Sequence, residues 1–188
     1  METGIGLAEQ AYDIIQKKSE DNTIAQSLSG IFGWPITIGT DIAVIPMIYV
    51  PLWDRLRELF SRSNVAQDAA TNIIKGIIGE IFVDIAFDKF MGNIPLVGIY
   101  FNAICAKNMT WRLGILFTML AARGEEVEGM DVKETMALIR KVFPQSDMFK
   151  FITPEKEKFL KLINGVTNLN QEDFNRKVDK MLDMIDEL

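Results

Sequence analysis

Apolar and polar positions alternate on a helical period along most of this chain. In two stretches the polar positions almost vanish. Leu7, Ala11, Ile14 and Ile15 recur at helical spacing, followed by Lys17, Lys18, Glu20 and Asp21. Residues 1–29 therefore read as one helix and a polar connection. Residues 30–53, GIFGWPITIGTDIAVIPMIYVPLW, then carry a single charge, Asp41. Pro35, Pro46 and Pro51 interrupt this stretch. The cleaner helix predicted here runs from Thr40 or Asp41 through Val44 and continues past Pro46 with a kink or a restart. The charged segment DRLRELFSRSN follows.

Residues 65–90 predict a second helical region that is apolar nearly all round. Residues 91–110 are again almost uncharged, with Lys107 alone, and WRLGILFTMLAARG closes the apolar part. The segment 94–106 is too short to span a bilayer, which takes about 20 apolar residues. From Asp131 onward the pattern is that of three short amphipathic helices. Met136, Ile139, Val142 and Phe143 mark the first. Thr153 as cap and Pro154 as opener introduce the second, with Phe159, Leu160 and Ile163 on one face. Asn170 caps the third, whose stripe is Phe174, Val178, Met181, Leu182 and Ile185.

Within 65–90, Glu80, Asp84 and Asp88 stack at i, i+4 and i+8. Asp41 is the only acid from elsewhere that can join them. Four carboxylates can hold a hard cation or move a proton. Three in a row, with Lys75 and Lys89 nearby, also make an ordinary solvent face. Asp41 in a first helical turn serves equally as a cap. No metal, cofactor or catalytic role is assigned to these residues on sequence alone.

Composition narrows the chemistry further. Among 188 residues there is no histidine and one cysteine, and 48% are hydrophobic. Histidine-based triads and imidazole metal ligands are therefore excluded, as are an internal disulfide and a thiolate zinc cage. No phosphate-binding glycine loop occurs. The net charge of −6 argues against a nucleic-acid binder. Residues 131–188 hold 10 basic and 11 acidic residues, so most of the negative charge lies in the apolar part of the chain. An acidic apolar half disfavours electrostatic docking to anionic lipid. The start, METGIGLAEQAYDIIQKK, lacks a secretory pattern, which leads us to expect a cytoplasmic setting with Cys105 reduced.

Two landmarks stand in the apolar half: Trp34-Pro35-Ile36-Thr37-Ile38-Gly39-Thr40-Asp41, and Asn93-Ile94-Pro95-Leu96-Val97-Gly98, the latter leading to Thr110-Trp111-Arg112-Leu113-Gly114. Over about residues 25–122 this arrangement resembles the helical domain of unknown function that follows GTPase domains in some bacteria and occurs in YcjF-type inner-membrane proteins. In that family an Asp, here matching Asp41, precedes a first helix. An Ile-Pro-x-x-Gly turn, here Ile94 to Gly98, leads to a Thr-x-x-x-Gly helix, here Thr110 to Gly114. This sequence departs from the pattern in having no GTPase domain within its 188 residues and in carrying a polar helical tail. The resemblance implies an accessory role at a membrane or with a GTPase, not an activity.

The expected fold is an all-α multi-helix bundle. It has two buried apolar helical segments in an apolar domain over 1–130, and a helical tail over 131–188 packs on it. The expected function is a non-catalytic accessory module, not an enzyme, that is membrane-proximal or partners a separately encoded GTPase, at the inner face of the membrane if it meets one. A homodimer would also cover residual apolar surface. The alternative is a hairpin protein that inserts residues 31–53 and 91–120 into membranes, and a carboxylate-metal enzyme ranks last.

Overall fold

The computed structural model describes residues 4–31, 38–62, 97–124, 132–144, 150–167 and 169–186. Among them are six helices and no strand: α1 (Gly4–Ile31), α2 (Ile38–Leu59), α3 (Val97–Arg123), α4 (Val132–Val142), α5 (Lys156–Val166) and α6 (Gln171–Asp186). The protein is an all-α multi-helix bundle. The predicted helix over 65–90 and the landmarks at 34–37 and 93–96 lie outside the described residues.

Helix α3 is the centre. Every residue from Leu113 to Arg123 is buried. It packs most extensively along α1 and also meets α2, α4 and α5. Such all-round burial explains why its sequence lacks a polar face. Three contacts fix its approach to α1 and α5. Gly114 lets the α3 backbone come down onto Ile15 of α1. Tyr12 lies against Trp111 with ring centroids 4.9 Å apart, and against Phe159 of α5 at 5.5 Å. The buried Tyr12 hydroxyl donates to the Pro154 carbonyl at 2.8 Å, which anchors the segment leading into α5. The buried hydroxyls of Thr110 and Thr118 donate back to the carbonyls of Ala106 and Gly114, each at 2.7 Å. Their polarity is thus satisfied within the helix itself.

The structure corrects four boundaries. First, α1 runs through Lys17–Asn22 to Ile31, so the expected polar connection is helix. Lys, Glu and Gln are good helix formers, no proline intervenes, and Ser19 is buried within the run. Second, α2 starts at Ile38 and passes both Pro46 and Pro51 without a restart, ending only at Leu59. Burial of Tyr49, Val50, Leu52, Trp53 and Leu56 outweighs the lost backbone bonds, at about 3 kcal/mol for an interior proline. Third, the apolar stretches on either side of Lys107 are one helix of 27 residues. The Lys107 ammonium sits 5.7 Å from the Phe151 ring centre, so this lone charge does not mark an end. Fourth, α5 begins at Lys156 with Glu155 in the cap position and no side-chain cap bond, whereas Thr153 is exposed two residues upstream.

The two long helices end in different ways. At α2 the Arg62 amide bonds the Arg57 carbonyl at 2.8 Å and the Ser61 amide bonds Glu58 at 2.9 Å. This is the Schellman pattern, with Ser61 at φ 55° in the position glycine favours. At α3 glycine does occupy that position, Gly124 at φ 74°, and the Arg62 Nε donates to the Ala121 carbonyl at 3.1 Å. Ser61→Gly is therefore expected to raise stability by about 1 kcal/mol, read as a higher urea midpoint at unchanged slope.

The α3 terminus also receives the tail. The Arg123 guanidinium stacks 3.8 Å from the Phe174 ring centre, and Arg123 donates to the Leu169 carbonyl and to Gln171 Oε1. Asn170 caps α6 as expected, its Oδ1 accepting from the Asp173 amide at 2.8 Å. One continuous core runs from Ala8 through Trp53 and Phe117 to Phe174 and Val178. No helix among the described residues is long and apolar enough to cross a membrane.

Candidate functional site

Between α1 and α2 the described residues leave an open groove of about 400 Å³. Its floor is Ile14, Pro51 and Leu52, and its rim carries Lys17, Lys18 and Arg55 together with Asp13 and Asp21. The helical period explains the arrangement. Asp13, Lys17 and Asp21 follow one another at i, i+4 and i+8 on α1, while Pro51 and Arg55 stand at i and i+4 on α2. Lys17 and Arg55 are exposed and Lys18 half-buried. Among the described residues none of the three has a carboxylate within ion-pair distance. Asp13 also pairs with Lys156, at 3.6 Å, which meets Glu9 at 3.7 Å and lies over the Tyr12 ring.

Beside the groove on α2 is a second polar feature. Trp53 is buried edge-on to Phe117 at 4.9 Å, with the Arg57 guanidinium 5.2 Å from its ring centre. Among the described residues the indole N–H has no acceptor, and the buried Oδ1 of the neighbouring Asp54 has no donor. Burial, then the nearby Glu58 charge, raise the Asp54 pKa, and Arg57 opposes them. A carboxyl whose pKa is higher folded than unfolded binds protons preferentially in the folded state. Stability therefore falls as pH rises from the ordinary carboxylate range through the folded pKa. Asp54→Asn is expected to raise stability at pH 7 and to lose that advantage at pH 3, as seen by chemical denaturation at both values.

The acids singled out from sequence do not form a described site. Position 41 falls in the first turn of α2, but its side chain lies outside the described set, as do Glu80, Asp84 and Asp88 altogether. Among the described residues no three acidic or cysteine side chains converge as metal ligands would. The groove itself was not anticipated, because residues 17–22 read as part of a polar connection and DRLRELFSRSN only as a charge-dense segment after the apolar run. The alternation of Lys and Asp at four-residue spacing over 13–21 was the available signal. Comparison with family models, with characterised proteins and with solved structures found no match to this chain.

Proposed function

We infer that this chain is a non-catalytic helical accessory module that acts by holding a protein partner. A separately encoded GTPase is the partner class that the family resemblance implies. One observation supports the reading above the others: the described parts of the apolar stretches, over 49–56 and 104–122, are spent on the protein's own core. Tyr49 to Leu56 on α2 and Ile104 to Ala122 on α3 bury their large apolar side chains against each other and α1, and α3 packs on α4 and α5 as well. A segment already wrapped by protein has little apolar surface to offer lipid. What faces outward near it is the charged α1–α2 groove. Such a surface suits recognition by charge and shape.

The test is binding of the purified full-length chain to a GTPase encoded beside it, by calorimetry, in GDP-loaded and GTP-analogue-loaded forms. A complex in at least one nucleotide state is expected, with no flotation on liposomes in the absence of that partner. Flotation of the chain alone, with no GTPase complex in either state, would overturn the reading in favour of membrane insertion.

A further inference from the structure

We propose that the α1–α2 groove takes an acidic amphipathic helix of a protein partner, its apolar face on Ile14 and Pro51 and its carboxylates against Lys17, Lys18 and Arg55. This rests on the partner-binding reading above and names the surface and the chemistry. Charge complementarity carries it. In a chain of net charge −6, three cations gather on the two walls of one concavity with no carboxylate in ion-pair reach among the described residues. Of the two acids on the same wall, Asp13 meets Lys156 of α5 at 3.6 Å, and Asp21 is exposed at the groove's edge. Carboxylates of a bound helix can supply the counter-charge that these three cations lack among the described residues. The floor identifies the kind of molecule. A free phosphate needs no apolar floor, and a flat lipid surface does not fill a concavity between helices. A helix laid between two helices uses both, its apolar stripe going down and its flanking glutamates going to the rim.

The probe is a fluorescein-labelled model helix of about 18 residues, with Leu at i, i+3, i+4 and i+7 and Glu on the flanks, titrated with the full-length protein by fluorescence anisotropy. Saturable binding that weakens with added salt is expected. The Lys17→Glu/Lys18→Glu/Arg55→Glu triple variant should weaken it by about tenfold or more. Asp21→Lys should tighten it severalfold. Both variants alter surface positions, and their thermal midpoints are checked to confirm that each is folded. Equal binding of a lysine-for-glutamate version of the peptide, no binding of the acidic peptide, or an unchanged triple variant would each overturn the proposal. So would charge-dependent binding to anionic phospholipid vesicles or inorganic phosphate in place of the peptide. Failure here is separable from failure of the broader reading: a GTPase complex that survives the triple variant unweakened removes the groove but leaves the accessory role.

Discussion

Gly114→Ala is expected to lower stability by about 2 kcal/mol, and Gly114→Val by about 3 kcal/mol or more. An ideal Cβ at position 114 would stand 2.6 Å from Ile15 Cγ1, 2.8 Å from Cγ2 and 2.9 Å from Cδ1. Carbon atoms at rest sit about 3.5–4.0 Å apart. Ile15 is fully buried in the core, and a β-branched side chain in a helix has one strongly preferred rotamer. It cannot swing aside, so α1 and α3 must separate. That separation would also loosen the Tyr12–Trp111 contact one turn away. Alanine recovers about 1 kcal/mol of helix propensity, which is smaller than the clash. Gly6 on α1 is the control, because nothing lies within 4 Å of its would-be Cβ. Gly6→Ala should be neutral or stabilising. In a double-mutant cycle, Ile15→Ala should cost less in the Gly114→Ala background than alone, since the added methyl fills part of the cavity. Urea denaturation of the four proteins reads all of this.

Trp53 is expected to show a large difference between two substitutions. Trp53→Ala removes a side chain that is 1% exposed, together with its edge-on contact to Phe117 and its place beneath Arg57. The loss should be about 3–5 kcal/mol. Trp53→Phe keeps an aromatic ring against Phe117 and removes the indole N–H that has no acceptor among the described residues. Relief of that unsatisfied donor, worth about 1–3 kcal/mol, offsets much of the lost volume. Trp53→Phe should therefore fall within about 1.5 kcal/mol of the parent. An equally severe loss for both would mean that the indole N–H finds a partner in the folded protein.

The elements that sequence reading located well are those where local chemistry and burial agree. On α6, Asn170 reads as a cap and Phe174 and Val178 as the inward stripe; all three do so in the structure. On α4, Met136 and Ile139 are buried as the spacing requires. The boundaries that failed are those where tertiary contacts override a local signal. Pro46 and Pro51 read as interruptions, yet the turn they precede is held by Trp53 and Leu56 in the core. Lys107 read as the end of a short apolar segment, yet its stem lies along a helix and its charge over Phe151. Gly114, the α1–α3 contact, entered the sequence reading only as the end of the Thr110 to Gly114 motif, because no local signal names the Ile15 it packs on. The groove was invisible for a related reason. Its α1 wall lies partly in residues read as a polar connection, and its α2 wall runs into a segment read only for its charge.

The central claim is that the apolar segments 49–56 and 104–122 are the core of the chain's own helical bundle. Hydrogen–deuterium exchange of the full-length protein in detergent-free buffer tests it most directly. The account predicts that amides from Met109 to Ala122 are the slowest in the protein. Their exchange should require global unfolding and should be unchanged by added phospholipid vesicles. Rapid exchange of that segment in buffer, with protection appearing only when vesicles are added, would contradict it.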